Sequence, residues 1–259
     1  MSDIFDIDSG SVYREIAFPF KKDFPKIQAH PYLHDPKIRL NKHKYRSDDF
    51  TTEHAGLHIL FAGCSNTFGD GLEEHEIWAK RLYDKIHHKE NTSGFFNIGA
   101  PGLGILAIVF NIYKYIESFG KPNVIFINFP VSRRFLSFDT TIQKHIYVNI
   151  HEPEEISEEL WHTIPLIEYQ YIFMLERYCK SNNINLIYGT WAPRSNFNHY
   201  QDLNCYVNIL DDDMVAKYVI ENPDDEYAMN ARDGHHYGNG YHTVWAEIMY
   251  NRYMEKSSK

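Results

Sequence analysis

Positive charge is in short supply: 26 lysines and arginines stand against 35 aspartates and glutamates, a formal net charge of -9 at pH 7. Such a chain repels a phosphate backbone unless a local patch overrides the whole, which argues against nucleic acid as a partner. Cysteine is scarcer. Cys64, Cys179 and Cys205 lie far apart, giving neither a CxxC metal pair nor a disulfide framework, and reduced thiols in a cytoplasm are the simplest expectation. Long apolar runs are missing, since no stretch approaches the roughly 20 residues that span a bilayer. The opening MSDIFDIDSGSVYREIAF has no basic start followed by an apolar block, which predicts a soluble chain made without a signal peptide and without a membrane partner. Internal repeats and low-complexity segments are absent as well.

What is present is apolar enough to fold. With 43% hydrophobic residues over 259 positions, the chain can bury one sizeable core, and a single globular domain is expected over residues 51–259. Residues 1–50 carry Pro19, Pro25, Pro31 and Pro36 and a basic stretch from KKDFPK to NKHKYR, with no strong periodicity. They read as an arm wrapping that domain, its charges solvated.

Short apolar runs alternate with helical stripes. LHILFA at 57–62 is followed by EIWAKRLYDKI at 76–86, where Trp78, Leu82 and Ile86 recur every fourth residue. GFFNIG leads into the APGLG turn and then into ILAIVFNIYKYIESF at 105–119, stopped by Gly120 and Pro122. NVIFINF at 123–129 and INLIYGTW at 184–191 are apolar enough to be buried on both faces, as central parallel strands are. GNGYHTVWAEIMYNRYMEK, 238–256, predicts a terminal helix. The alternation predicts an α/β fold, an open parallel sheet with helices on both faces and the ligand site beyond the carboxyl ends of the strands. Residues 130–164 are long for a connection in such a domain and suggest a lid or substrate wall.

At one strand end stands FAGCSNTFGDG, 61–71, with Ser65 in a glycine-bracketed turn. A serine hydroxyl becomes a nucleophile only when a histidine accepts its proton and an acid orients that imidazole. RDGHHYGNGYH supplies both, Asp233 and His236 lying three apart in a glycine-containing loop, close enough for the carboxylate to reach the second ring nitrogen.

A strand ending in G-x-S-x-T, a glycine turn after the second strand and a late D-x-x-H resemble the SGNH (GDSL-like) hydrolase family, over roughly residues 57–250. The resemblance implies a three-layer, flavodoxin-like sheet of about five strands. It implies Ser65 as nucleophile and, through its own N–H, first oxyanion donor, with His236 as general base and Asp233 as its orienter. In NIGAPGLG it puts the second oxyanion donor at Gly102, with Gly99 as the neighbouring register. The chain departs from the family in two blocks. Gly63-Cys64-Ser65 replaces G-D-S, and in PNVIFINFPVSRR the residues Pro130, Ser132 and Arg133 fall where Gly, Asn and Asp are usual. Losing the asparagine donor typically costs about 100- to 1,000-fold in rate, so unless Ser132, Arg133 or Arg134 substitutes, the enzyme is expected to be slow or to use a different anion clamp. Either arginine suits an anionic substrate group, or pairs with the acidic excursion at the surface.

Three aromatic residues, Tyr147, Trp161 and Trp191, are candidates for stacking on a sugar ring or for packing. Cys64 reads as a buried small residue, since adjacent residues at a strand end point in different directions. His235, His236 and His242 together suggest a metal cluster, but a catalytic metal takes three ligands converging on one point, and no matching Cys or Asp/Glu pair accompanies them. NKHKYRSDDF at 41–50 is similar to the N-x-x-G-(F/Y)-R lead-in found before the nucleophile block in some family members associated with polysaccharide acyl groups, without its glycine.

The reading is thus a cytoplasmic serine esterase, without metal or organic cofactor, that removes a short acyl group, O-acetyl on a carbohydrate, from a small-molecule or glycan ester. A lipid ester or thioester hydrolase is the enzymatic alternative. A catalytically weak or inactive binding or structural protein, phage- or surface-associated, is the other.

Overall fold

The computed structural model describes residues 38–130, 132, 134–139, 144–149, 157–190, 206–207 and 212–257. Five parallel strands form the central sheet in the order β2-β1-β3-β6-β7. These are β1 (Ile59–Gly63), β2 (Phe96–Asn97), β3 (Val124–Phe129), β6 (Asn185–Thr190) and β7 (Tyr206–Val207). Each residue of β1 and β3 is buried, because both faces of the sheet are covered. Leu60, Ala62, Ile125 and Ile127 pack with Ile108 and Ile112 of α3 (Ile105–Phe119) and with Ile172 and Leu175 of α4 (Glu158–Ser181). The alternate positions Ile59, Phe61, Val124 and Phe126 pack with Trp78 and Leu82 of α2 (Trp78–His87) and with Trp245 and Met249 of α6 (Asn239–Ser257). This is the three-layer open sheet expected from the strand and helix patterns.

Boundaries follow local chemistry. Gly104 caps the N-terminus of α3, and Gly120, with φ 94°, ends it. The register sets Gly63 beside Asn128, so β3 runs one residue past the end of β1 at the rim of the sheet.

The excursion at 130–164 divides in two. An antiparallel hairpin of β4 (Arg134–Asp139) and β5 (Lys144–Asn149) lies against α3, and ELWH opens α4 rather than closing an insertion. Pro165 sits inside α4, and Leu166, Ile167, Phe173 and Met174 are exposed on it, which blurs its period in the sequence. A short helix, α5 (Asp212–Glu221), packs on α6. Of the expected arm, residues 38–50 lie on the domain, with Tyr45, Arg46 and Phe50 buried; residues 1–37 lie outside the described residues.

Candidate active site

Beyond the carboxyl end of β1 the chain turns at Gly63 and enters α1 (Ser65–Phe68). A Cβ on Gly63 would stand 2.0 Å from Thr67 Oγ1 and 2.6 Å from the Asn128 carbonyl oxygen, so only glycine allows this approach. Ser65 is the first residue of α1 and 7% exposed. Its N–H is one of those a helix start leaves without an intrahelical acceptor. Its Oγ donates to Cys64 Sγ, 3.9 Å away. Cys64 itself is buried, and its carbonyl oxygen accepts the N–H groups of Thr67 and Phe68.

The glycine turn is bound to α1. Ile98 and Ala100 extend the pairing along β1 through the carbonyls of Phe61 and Gly63. Asn97 Nδ2 donates to Thr67 O at 2.9 Å, and Asn97 Oδ1 accepts Gly99 N–H at 2.8 Å. A Cβ on Gly99 would lie 2.8 Å from the Thr67 and Phe68 backbone. Gly102 adopts φ 72°, the left-handed region glycine favours. Arg134 reaches the same turn through its main chain: a Cβ on Gly104 would lie 1.9 Å from Arg134 O. Arg134 Nε is buried without a hydrogen-bond partner among the described residues.

The Asp233 loop docks on the loop that follows α1. Arg232 N–H donates to Gly71 O at 3.1 Å, and a Cβ on Gly71 would come within 3.0 Å of Asp233 Cγ. Arg232 also grips Glu76 through two nitrogens, at 2.5 and 2.9 Å, and its guanidinium lies over the Tyr227 ring. Burial opposes ionisation of Glu76, yet the Arg232 guanidinium holds its pKa below the ordinary value.

Asp233 and His236 are brought together. Asp233 Oδ2 lies 2.6 Å from His236 Nδ1, while Oδ1 accepts the N–H groups of His235 and His236 at 2.9 and 3.0 Å. Partial burial works against the charged carboxylate, but those N–H groups and the imidazole lower its pKa. With Nδ1 bound to the carboxylate, Nε2 is the free basic nitrogen. It stands 3.7 Å from Asp70 Oδ2. The Ser65–His236 hydrogen bond is not formed here, since Ser65 Oγ points at Cys64.

The remaining candidates sit as follows. Ser132 is buried and its hydroxyl donates to Glu168 of α4, so that proton is committed away from Ser65. His235 is exposed beside His236. His242 is buried in α6, where Nδ1 accepts the N–H of Trp78, and among the described residues no group of three or more His, Cys, Asp or Glu could hold a metal ion. Trp161 lies partly buried near the start of α4, and Tyr147 lies in β5 with its side chain outside the described residues. Arg133, Trp191 and Cys205 also lie outside the described residues.

Three participants escaped the sequence reading. Arg46 is fully buried and forks onto Gly69 O at 2.7 Å and Leu72 O at 2.6 Å, clamping the loop after α1. The lead-in similarity at 41–50 includes this residue, which was the available signal. Asp70 faces His236, signalled only by the glycines on either side of it. Asn128, 1% exposed beside Gly63, has Oδ1 unpartnered among the described residues.

No protein-family model and no curated relative matches the chain. Among solved structures it is similar to the psychrotrophic esterase EstA from Pseudoalteromonas sp., a structure inhibited by monoethylphosphonate, with 15% identity and a TM-score of 0.48 over 78% of this chain and 98% of that one. It is also similar to a Bacteroides fragilis protein described as an acylhydrolase, with 14% identity and a TM-score of 0.35 over 77% of this chain and 86% of that one. A Parabacteroides merdae protein described as a GDSL-like lipase gives 15% identity and a TM-score of 0.36, over 77% and 94%.

Proposed function

We propose that the chain is a serine hydrolase of carboxylic esters, with a short acyl group on a carbohydrate as its preferred substrate class. The observation that carries this reading is the Asp233–His236 pair, bonded at 2.6 Å and held on a loop docked against the turn that follows Ser65. Ser65 Oγ attacks the ester carbonyl carbon while its proton passes to His236 Nε2. The N–H groups of Ser65 and Gly102 hold the developing oxyanion. Collapse breaks the bond to the alcohol, which leaves with the proton from His236. Water, deprotonated by the same nitrogen, then attacks the acyl-enzyme and frees the acid and Ser65.

Rotation of Ser65 Oγ away from Cys64 and of His236 Nε2 toward it is required before attack; such bonds are often long until substrate is bound. Arg134, beside the glycine turn, is the described arginine that supports an anion contact near the oxyanion. Buried Cys64 and Cys179 suit a reducing compartment such as the cytoplasm. Among the described residues no helix is long and apolar enough to cross a membrane.

A second reading, a binding protein that has lost turnover, is favoured by the low exposure of Ser65 and by the commitment of the Ser132 hydroxyl to Glu168. Labelling with a fluorophosphonate, the adduct being located by mass spectrometry, separates the two. The esterase reading expects an adduct on Ser65 that disappears in Ser65→Ala and in His236→Ala. A folded protein that takes no label leaves the binding protein.

A further inference from the structure

Asp70 is carried on a loop fixed at both ends. It lies between Gly69 and Gly71, whose φ values of 85° and 73° are left-handed. Its own N–H donates to Ser65 O at 3.2 Å. Arg46 holds the Gly69 carbonyl, and the Gly71 carbonyl accepts the Arg232 N–H. The carboxylate so positioned keeps Oδ2 3.7 Å from His236 Nε2, with the Asp70 side chain 21% exposed. That separation is too long for a direct hydrogen bond. It does place an anionic acceptor beside the nitrogen that hands a proton to the departing alcohol.

For that transfer the alcohol oxygen must come within about 2.6–3.2 Å of Nε2. Substituents one or two carbons from the oxygen then fall within reach of Asp70. An ionised carboxylate accepts hydrogen bonds and donates none, so it suits a neighbouring hydroxyl and repels a carboxylate or phosphate. We propose that Asp70 determines specificity on the leaving-group side, selecting neutral, hydroxylated alcohols and rejecting anionic ones. The inference rests on the esterase reading above and adds the charge and functional group of the alcohol it releases.

Three acetyl esters test it with the full chain: ethyl acetate, glycerol monoacetate with its neighbouring hydroxyl, and 2-acetoxyacetate with a carboxylate. Ratios of kcat/KM between esters cancel any loss common to all of them. Asp70→Asn is expected to raise the ratio of 2-acetoxyacetate to ethyl acetate roughly tenfold, the size of one nearby charge in a partly solvated site. Asp70→Ala is expected to lower the ratio of glycerol monoacetate to ethyl acetate about fivefold or more, the loss of one hydrogen bond to a charged acceptor. On the unaltered protein, raising salt from ~0.01 M to ~0.5 M should lift the 2-acetoxyacetate ratio, because that range brings the screening length from roughly 30 Å to a few ångström.

Ratios that neither substitution nor salt moves by more than twofold overturn the role of Asp70, while turnover of ethyl acetate and labelling of Ser65 preserve the esterase. If the variants fail to fold, the salt series on the unaltered protein decides, a flat ratio overturning the proposal. An unaltered protein that neither hydrolyses any ester nor takes label defeats the esterase reading, and the proposal with it.

Discussion

Asp233 carries two tasks on one carboxylate. Oδ1 closes the 233–236 turn by accepting two backbone N–H groups, and Oδ2 orients the imidazole. Asparagine can keep the turn through its amide oxygen, but its NH2 group would then face Nδ1 and select the tautomer with the proton on Nε2, useless as a base. Asp233→Asn is therefore expected to slow labelling of Ser65 about 10⁴-fold, with the urea midpoint changed by less than about 1 kcal/mol in stability. Asp233→Ala should lose the turn too and show a lower midpoint along with the lost reactivity. A labelling rate for Asp233→Asn within tenfold of the parent would remove Asp233 from the base's machinery. The three-residue spacing that pairs these two side chains was legible in the sequence because the contact is local. The commitment of Ser132 to Glu168 was not, as the partner lies 36 residues away on a helix with a blurred period.

Among the elements, the loop from Gly69 to Leu72 is held on one side by the Arg232 N–H and on the other by a single residue of the lead-in segment. The Arg46 guanidinium donates to Gly69 and Leu72 carbonyls from a fully buried position, and burial lowers its pKa to about 10. Methionine of similar volume leaves those carbonyls short of their charged donor, at about 3 kcal/mol or more. Lysine keeps the charge but has no planar fork to span both oxygens. Urea unfolding should thus rank Arg46→Met below Arg46→Lys and both below the parent, with Ser65 labelling slowed in the same order because this loop supports the Asp233 loop; equal midpoints would show that the clamp adds nothing. Elements built from contiguous apolar runs, β1, α3, β3, β6 and α6, announced themselves through glycine punctuation and buried-strand composition. The clamp joins segments more than 20 residues apart, and no periodicity encodes such a contact. Strand β7, two residues long, is set by pairing with β6 rather than by composition of its own.

At the scale of the molecule, acid stability among the described residues turns on two imidazoles kept neutral. His58 stacks on His54, meets Tyr115 Oη at 2.8 Å, and has its pKa lowered to about 3, mainly by burial. His242 is held well below the ordinary value, again chiefly by burial, and in that neutral state its Nδ1 accepts the N–H of Trp78 at the start of α2. In the unfolded chain both take up a proton near pH 6.5. Below that pH the unfolded state binds more protons than the folded one, so stability falls with pH, by up to about 1.4 kcal/mol per unit for each histidine. Glu76 and Asp233, with folded pKa values below their ordinary ones, add their own loss only as pH drops below about 4.5. Exposed pairs such as Arg39–Asp48 and Arg252–Glu255 contribute little at any pH. Urea unfolding at pH 8, 7, 6 and 5 should therefore be level above about pH 7 and steepen toward about 2.7 kcal/mol per unit below pH 6. In His242→Gln, whose side-chain oxygen can still accept the Trp78 N–H, the slope between pH 6 and 5 should fall by about half. Stability that stays level from pH 7 to 5 would mean that these imidazoles are protonated, and tolerated, inside the fold.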